Sequence, residues 1–393
     1  MKFTAKAPAK THLTIREVAR AAGVSIGTVS AVINGRHSVT EKTRQRVQHC
    51  IADLGFEPNT AARNLKKHRS SSIGLVVPDL RNPFFASIAE GVHSVARKND
   101  VFMILGASGN ESEWEEYYAQ SLRARRLDGM ILVSGSGRPN VGLVKLVDTG
   151  SVVFVDECVP GLDAPFVHSD NRRGARLVAQ ELLHRGHRDI GIVAGPSWLW
   201  TGQDRLAGYR EAIAAAGLDP DEVPVFAGDY SEHAGYRGTE TLLKTSRQCL
   251  TGLIYANDMM AIGGMRYLTE QGICVPDDIS IVGFDDISSA QHMAPPLTTV
   301  AQPGFAMGEA AARLLLHQFG MIEHPETISF FTEIKIRQSV AEPPKQASRI
   351  YALRNQGQVM PVASTITFLP LVSDSAARER NPLGTGRKPV PMV

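Results

Sequence analysis

TIREVARAAGVSIGTVSAVIN, residues 14–34, has the pattern of two short helices joined by a tight turn. Thr14 and Glu17 have the spacing of a capping box, which satisfies the first free backbone N–H groups of a helix. Gly23 provides the positive φ at which that helix ends, and Ser25 is a favoured cap for the next one. Such a pair is typical of the helix-turn-helix, which places its second helix in the DNA major groove. The same pattern also occurs in helical hairpins without this role.

The charge around this segment favours nucleic-acid binding. Through Ser70 the chain has 13 Lys and Arg residues against four Asp and Glu residues, a formal charge of +9, whereas the whole chain has +2. A basic head on an acidic body is the electrostatic footprint of a protein that binds nucleic acid. A basic surface that is merely solvated would not need to coincide with the helical pair.

Length and composition define the broad class. With 393 residues, 43% of them hydrophobic, the chain can form two or three domains with cores. No apolar run approaches the ~18 residues of a membrane span, and the first residues lack the apolar centre of a secretory signal. The cysteines, Cys50, Cys158, Cys249 and Cys274, have neither disulfide-framework nor zinc-site spacing. We therefore predict a cytoplasmic protein with no membrane association, no metal and no cofactor.

A third helix and a linker are predicted after the helical pair. The third helix begins near Thr40 and ends at Gly55. Its inner face comprises Val47, Cys50, Ile51 and Leu54. Pro58 breaks the chain, and Asn59 caps a short helix over 60–66 that has no room for a core of its own. Because short helices are marginal in isolation, we expect this one to fold only with a partner.

The rest of the chain, up to its tail, alternates apolar strands of about four to six residues with amphipathic helices. This rhythm is typical of parallel α/β layers, and the strands are too many for one sheet of ordinary size. We predict two lobes, around 72–166 and 170–300, with the chain crossing back near Gln302 and again near Phe330. Ligands of such open sheets bind at the carboxyl ends of strands or between lobes. The tail, 342–393, is predicted to be mostly irregular.

A series of motifs in fixed order identifies a family resemblance. The motifs are VSIGTVSAVIN at 24–34, TR at 43–44, GFEPNTAARNL at 55–65, IGLVVPD at 73–79, NPFF at 82–85, GHRDI at 186–190, RLAGY at 205–209, NDMMA at 257–261, VPDDIS at 275–280, GFDD at 283–286 and PLTTV at 296–300. Over about residues 12–341 the chain resembles the lactose-repressor (LacI) family of bacterial transcription regulators. The resemblance implies an all-α helix-turn-helix headpiece with a linker helix, followed by a two-lobed α/β body with parallel sheets like those of periplasmic binding proteins.

The resemblance also implies a domain organisation and partners. It places the headpiece at 12–57, the linker at 58–71, the effector-binding and dimerisation body at 72–341 and a C-terminal extension at 342–393. It implies a homodimer that binds double-stranded, pseudo-palindromic operator DNA, acts as a repressor and responds to a sugar-like effector between the lobes. Leu65 would wedge between base pairs in the minor groove and kink the duplex, unless it is a core leucine. Whether the effector releases the DNA or strengthens its binding is left open.

Candidate DNA contacts fall into three groups. Small polar side chains near helix N-termini suit phosphate contacts, which set register without reading sequence. They are Thr14, Ser25, Thr28, Ser30, Asn34, Thr40 and Thr43, of which Ser25 is also a cap. Ile26, Gly27 and Ala31 match the base-reading positions of the family. They have no hydrogen-bonding side chain, which gives DNA deformability a larger share of the specificity. The linker candidates are Asn59, Arg63 and Leu65.

Candidate effector contacts come from family positions that line the cleft between the lobes. They are Phe84, Phe85, Asp156, Arg205, Tyr230, Asn257 and Asp285, with Gln302 as a further candidate. Carboxylate and amide oxygens accept hydrogen bonds from hydroxyls, a guanidinium donates in a fork, and aromatic rings pack on the apolar face of a sugar or base. The alternatives are core packing for Phe84 and Phe85, a strand-end cap for Asp285, and a surface ion pair with Asp204 for Arg205. Trp198 and Trp200 border the predicted cleft, and Glu157 stands where many members have Arg or Asn.

Two other classes of protein compete with a regulator. An enzyme is not favoured, because Asn140 occupies the position at which a dinucleotide-binding fingerprint beginning at Gly135 needs its third glycine. The sequence also lacks a phosphate-binding loop, a nucleophile elbow and a His-Glu-x-x-His motif, so no catalytic residue is predicted. The alternative is a two-lobed solute- or sugar-binding protein without a gene-regulatory role, against which the basic headpiece argues.

Overall fold

Residues 13–33, 39–56, 71–124, 127–323 and 329–344 are described by the computed structural model. Four candidate DNA contacts, Asn34, Asn59, Arg63 and Leu65, lie outside these residues. The predicted linker helix and nearly all of the predicted C-terminal extension lie outside them as well.

Three helices form the headpiece: α1 (Ile15–Ala22), α2 (Ile26–Ile33) and α3 (Glu41–Leu54). The predicted caps are confirmed: the Thr14 N–H donates to the Glu17 carboxylate at 2.6 Å, and the Thr28 N–H donates to Ser25 Oγ at 3.1 Å. Gly23 and Gly55 end α1 and α3 with φ of +61° and +60°. The helices enclose one small core, formed by Val18, Ala19, Ala22, Val29, Val32, Val47 and Phe56.

Lobe 1 is built around a six-stranded parallel sheet. Its strands are β1 (Ser72–Val77), β2 (Phe102–Ala107), β3 (Gly129–Leu132), β4 (Val152–Val155), β5 (Phe166–Ser169) and β11 (Ser329–Phe330), in the order β11-β5-β4-β3-β1-β2. Its helices are α4 (Pro83–Lys98), α5 (Ser112–Arg123), α6 (Val141–Asp148) and α11 (Gly304–Gln318). Successive β1 residues face opposite sides of the sheet, so Leu75 packs in the cluster that contains Ile88 and Leu315, and Val76 packs in that of Ala119 and Leu143.

Lobe 2 repeats this layered plan around a four-stranded parallel sheet. Its strands are β6 (Ile190–Ala194), β7 (Val225–Ala227), β8 (Gly252–Tyr255) and β9 (Ser280–Val282), in the order β7-β6-β8-β9. Its helices are α7 (Asn171–His184), α8 (Trp200–Ala215), α9 (Glu232–Thr245) and α10 (Asp258–Glu270), with a short 3₁₀ turn at Ala290–His292. An antiparallel pair, β10 (Thr299–Ala301) with β12 (Glu333–Lys335), completes the lobe.

The chain crosses between the lobes three times. It leaves lobe 1 after β5, returns between β10 and α11, and crosses again between β11 and β12. The predicted returns near Gln302 and Phe330 are therefore confirmed. The carboxyl ends of strands from both sheets approach these crossings, which is where open α/β sheets bind ligands.

The predicted alternation of short parallel strands with helices is confirmed in both lobes. The apolar spacing after Trp200 predicts a helix over 205–215, whereas α8 begins five residues earlier, at Trp200. Local apolar patterns did not assign four elements of lobe 1: α6, β5, α11 and β11. The helix α11 packs on α4 so closely that a Cβ on Gly308 would lie 2.1 Å from the backbone oxygen of Ile88. The packing partner of α11 thus lies about two hundred residues earlier in the chain. A local apolar pattern does not contain this contact, which explains why α11 was not assigned.

Candidate functional site

A concave surface lies between the N-terminal ends of α2 and α3 in the headpiece. Its lining residues are Val24, Ser25, Gly27, Thr28, Ala31, Val39, Thr40, Thr43 and Arg46. Six of the predicted DNA contacts are thus brought together on one surface. The first N–H groups of a helix lack acceptors within the helix and carry partial positive charge, so two helix ends bordering one concavity suit an anion such as phosphate.

The polar side chains of this surface are held in place by local bonds. The hydroxyls of Ser25 and Thr28 lie 2.9 Å apart, and the Thr40 hydroxyl donates to that of Thr43 at 3.0 Å. Arg46 is exposed at the edge and adds a cation that was not among the predicted contacts. Its position in the middle of α3, three residues after Thr43, was the signal that could have identified it.

The other headpiece candidates lie off this concave surface. Ile26 is 46% exposed at the first turn of α2, so its apolar side chain is accessible to a partner. Thr14 caps α1 and donates its hydroxyl to Glu17 at 3.0 Å. Ser30 does not line the surface.

Between the lobes of the body, Arg205 is the central charged group. It projects from α8 and is buried, with only 3% of its surface exposed. Its Nε donates to Asn171 Oδ1 at 2.7 Å, and its Nη1 donates to the Ala256 carbonyl at 2.7 Å and approaches Asp285 Oδ1 at 3.5 Å. The guanidinium also lies 3.9 Å from the centroid of the Phe284 ring. The alternative of a surface ion pair with Asp204 is therefore wrong.

Asp285 anchors a polar network that joins both lobes. It follows β9, with φ of +112°, and its Oδ1 accepts a hydrogen bond from Gln302 Nε2 at 2.7 Å. Gln302 Oε1 in turn accepts a bond from the hydroxyl of Ser169, at the end of β5. Burial raises the pKa of Asp285 overall, whereas the nearby amide of Asn82, in lobe 1, lowers it. Asn82 was not predicted as a site residue, although the NPFF motif begins with it.

Asp156 differs from Asp285 because part of its carboxyl group has no hydrogen-bond partner among the residues that the structure describes. It follows β4 in lobe 1, has φ of +62° and is buried. Its Oδ1 forms no hydrogen bond with any described residue. Burial raises the pKa of Asp156 to about 7, against the lowering effect of Arg205 and with a further increase from Glu157. A buried carboxyl oxygen without a donor is costly, which marks it as a place for a ligand hydroxyl or amine.

Tyr230 and Asn257 complete the lobe 2 side of the cleft. Tyr230 has φ of +69°, its hydroxyl lies 3.0 Å from Thr201 Oγ1, and its ring centroid lies 5.6 Å from the Arg205 guanidinium carbon. The Asn257 amide donates to the Tyr230 carbonyl at 3.1 Å and accepts from the Met260 N–H at 2.9 Å, capping α10. Asn257 therefore positions Tyr230 by its own bonds.

The two phenylalanines belong mainly to the packing of lobe 1. Phe84 is buried in the core, and a Cβ on Gly304 would lie 3.2 Å from its ring. Phe85 is half-buried against it, with ring centroids 5.7 Å apart. The alternative of core packing is therefore favoured for Phe84, because the start of α11 covers its ring, and its contact with an effector stays a prediction.

Glu157, the residue after Asp156, is the functional group that the sequence did not assign. Its carboxylate reaches the N-terminus of α8 in the other lobe, where it accepts from the Trp200 and Thr201 N–H groups, both at 3.0 Å. One signal was present in the sequence, an acidic residue where many family members have Arg or Asn. It could not show the partner, which lies more than forty residues away.

Comparison with known proteins identifies the family. Residues 14–59 match the model described as bacterial regulatory proteins, lacI family, and residues 179–340 match the periplasmic binding protein-like domain. The chain is 35% identical to the HTH-type transcriptional regulator CelR of Thermobifida fusca over 83% of its own length and 98% of the relative's. This chain belongs to the LacI family. It is a sequence-specific, DNA-binding transcriptional regulator.

Other LacI-family proteins agree with this assignment. The HTH-type transcriptional repressor CytR of Escherichia coli K12 is 33% identical over 79% of this chain and 90% of its own. The structure of a lac repressor dimer bound to operator and the anti-inducer ONPF superposes with a TM-score of 0.73, at 27% identity, over 84% of this chain and 99% of its own. The structure of a CelR–cellobiose complex superposes with a TM-score of 0.61, at 32% identity, over 83% of this chain and 99% of its own. These relatives are regulators rather than enzymes.

The raised pKa of Asp156 has a consequence for stability. Because its folded pKa of about 7 lies above the ordinary 3.8, the folded state binds this proton more tightly, and Asp156 lowers stability as pH rises through that window. Asp156→Asn should therefore gain stability relative to wild type from about pH 4 to about pH 7, by up to ~1.4 kcal/mol per pKa unit. Thermal unfolding across this range measures the difference.

Asp79→Asn is the control with the opposite sign. Partial burial raises the pKa of Asp79, but hydrogen bonds from Arg81 outweigh this effect and lower the pKa overall. Its ionised form thus stabilises the fold, so the variant should lose stability relative to wild type as pH rises from the folded pKa to the ordinary 3.8, and the difference should stay constant from about pH 4 to about pH 7. Parallel pH profiles for the two variants would contradict the assignment of Asp156.

Proposed function

We propose that this LacI-family protein represses transcription as a homodimer, binding operator DNA through its headpieces and a small, neutral, hydroxyl-rich effector between its lobes. The observation that carries the effector part is the buried, unpartnered carboxyl oxygen of Asp156. The proposal includes a location in the bacterial cytoplasm, where the operator DNA lies, and no enzymatic activity. The domain limits 12–57, 58–71, 72–341 and 342–393 are part of the proposal, as is a minor-groove role for Asn59, Arg63 and Leu65. Among the described residues, no helix is both long and apolar enough to cross a membrane.

For DNA, we propose that the concave surface of the headpiece binds the phosphate backbone. Ser25, Thr28, Thr40 and Thr43 would donate hydroxyl hydrogen bonds there, and Arg46 would add a charge-assisted one. Ile26 and Ala31 would contact apolar base edges such as a thymine methyl, and Gly27 would admit a close approach of the backbone. Thr14, Ser30 and Asn34 complete the proposed set at its margins.

The phosphate role of Arg46 predicts a change in salt dependence. Removing one phosphate contact lowers the slope of log K against log[salt] by about 1, because one fewer counterion is released. Arg46→Ala should therefore bind a random-sequence duplex more weakly at low salt, with a slope reduced by about 1. Fluorescence anisotropy over a salt series measures both quantities.

Arg20→Ala is the matched control, since Arg20 is an exposed arginine of α1 that does not line the concave surface. Its slope should stay close to that of wild type. Equal slopes of log K against log[salt] for Arg46→Ala and wild type would show that Arg46 does not contact a phosphate.

For the effector, the charges in the cleft favour a neutral ligand. Arg205 is already engaged by Asn171, Ala256 and Asp285, so most of its hydrogen-bond donors are occupied within the protein. Asp156 and Glu157 lie on the opposite lobe and add negative charge when ionised. A sugar acid or sugar phosphate would meet repulsion there, whereas a hydroxyl donor would satisfy Asp156. Solved relatives hold cellobiose in CelR and ribose in a LacI-family regulator from Enterococcus faecium.

A ligand screen tests this effector class. Neutral sugars, including cellobiose and ribose, together with sugar acids, sugar phosphates and nucleobases, are compared by thermal shift on the full chain. A ligand that binds only the folded state stabilises it by about 2.7 kcal/mol at a hundredfold excess over Kd. We expect a shift from a neutral sugar and none from the anions.

Asp156→Asn should weaken the effective ligand by roughly ten- to a hundredfold, the effect of losing one hydrogen bond to a charged acceptor. Asp219→Asn, at an exposed site after α8, should leave the Kd unchanged. A screen in which only anions shift the melting temperature would contradict the neutral class.

For the dimer, we propose that the partner covers strand β2. This strand forms one edge of the lobe 1 sheet, and it exposes Phe102 by 68%, Ile104 by 43% and Leu105 by 43%. An apolar edge strand open to water is avoided unless something covers it. A second copy is the proposed occupant, since the related lac repressor was solved as a dimer.

Placing a charge on this edge should separate the protomers. Phe102→Asp buries a carboxylate in the proposed apolar contact and should weaken dimerisation by roughly thirtyfold or more, the effect of losing an interface hot spot. Phe331→Asp, at an equally large and 80% exposed side chain between β11 and β12, should leave the dimer intact. Sedimentation-equilibrium constants that are equal for Phe102→Asp and wild type would place the interface elsewhere.

A further inference from the structure

The Glu157 side chain joins the two lobes at the edge of the cleft. It belongs to lobe 1, since it follows β4, but its carboxylate lies at the N-terminus of α8 in lobe 2. Oε1 accepts from the Trp200 N–H at 3.0 Å and from the Cys158 N–H at 3.2 Å. Oε2 accepts from the Thr201 N–H at 3.0 Å and from the Thr201 hydroxyl at 2.7 Å.

The bonds from Trp200 and Thr201 depend on this relative position of the lobes. Three of the four donors belong to α8, where the first N–H groups have no acceptor within the helix and the helix dipole favours an anion. Glu157 is buried, with 2% of its surface exposed. If the lobes separated, the hydrogen bonds between the carboxylate and the α8 N–H groups would break, and water would have to replace them.

The residues that bind Glu157 also contact residues on both sides of the cleft. The Trp200 ring packs on Phe166 and His168 of lobe 1, at centroid distances of 5.3 and 5.4 Å. The Thr201 hydroxyl lies 3.0 Å from that of Tyr230, whose ring neighbours Arg205. The chain neighbour of Glu157 on the other side is Asp156. One carboxylate is thus linked to both walls of the cleft.

We propose that Glu157 is a positioning residue that holds the lobes together in the absence of effector and so fixes the separation of Asp156 from Arg205. The link between lobe closure and ligand affinity rests on the proposed function, but the closure itself does not. Glu157 touches no ligand in this proposal. It acts through the placement of α8.

Glu115 is a matched control within a single lobe. It projects from α5, is fully buried, and accepts from the Gly135 and Ser136 N–H groups at 2.9 and 3.1 Å and from the hydroxyls of Ser134 and Ser136. Its surroundings thus repeat those of Glu157, but all its partners belong to lobe 1. Replacing either residue by glutamine puts an NH₂ group where two donors converge.

Trp200 provides the readout of lobe separation. In a Trp114→Phe, Trp198→Phe background it is the one remaining tryptophan, because the chain contains three. Glu157→Gln should raise its acrylamide quenching constant about twofold, since separation exposes the ring that Phe166 and His168 cover. Glu115→Gln should lower the melting temperature without changing the quenching constant.

Unchanged quenching in Glu157→Gln, or an equal rise in Glu115→Gln, would overturn the proposal. If circular dichroism shows that Glu157→Gln does not fold, Glu157→Asp is the variant to test. Aspartate keeps the charge but is one methylene too short, so the quenching constant of Trp200 should rise above that of wild type by less than twofold. Wild-type quenching in that folded variant would equally overturn it.

Measuring sugar binding to Glu157→Gln and to wild type distinguishes a failure of this proposal from a failure of the proposed function. If about a tenth of the Glu157→Gln molecules retain the binding-competent arrangement, the Kd of the sugar found in the screen should weaken about tenfold. If no sugar in the screen binds wild type, the effector proposal fails while the quenching result still decides the role of Glu157. If a sugar binds both proteins equally although quenching rises, Glu157 holds the lobes without governing affinity, and the proposed separation of Asp156 from Arg205 is wrong.

Discussion

A permanently charged guanidinium buried between two lobes is the constraint around which the body is organised. Arg205 cannot lose its proton, so the surrounding chain must supply acceptors for it. Those acceptors come from the start of α7, the end of β8 and the segment after β9. The positions of three connections at the carboxyl ends of strands therefore depend on one side chain, and the Phe284 ring packs against its face. The cleft of lobe 2 is consequently preformed, with little freedom to rearrange around a ligand.

Lobe 1 presents the opposite electrostatic character. Asp156 and Glu157 follow the same strand, but Glu157 is satisfied by the α8 terminus, whereas Asp156 keeps an unpartnered oxygen. Two adjacent carboxylates thus have different tasks: one holds an internal contact and the other is available to an external donor. The positive φ of Asp156 turns the chain sharply at this point, which explains how neighbours in sequence face different surroundings.

Local signals predicted much of this architecture, and non-local contacts account for the rest. The capping pattern of Thr14 and Glu17 and the glycine at Gly23 depend only on nearby residues, so the headpiece was predictable. Arg205 and Asp285 were predicted because family motifs surround them. The packing of Phe84 could not be predicted, because α11, which covers it, lies more than two hundred residues further along the chain. The partner of Glu157 is hidden for the same reason, since no local pattern specifies which helix terminus a carboxylate will reach.

The three crossings between the lobes restrict how such a protein can be recombined. Although each lobe has its own sheet, neither lobe corresponds to one continuous stretch of chain. Two elements of lobe 1, α11 and β11, follow most of lobe 2 in the sequence, and β12 of lobe 2 comes after them. A chimaera that exchanges a lobe between relatives needs three junctions, after β5, before α11 and between β11 and β12. A single exchange point within the body divides at least one hydrophobic core between two parents, so sequence exchange in this family should favour the boundary between headpiece and body over any point within it.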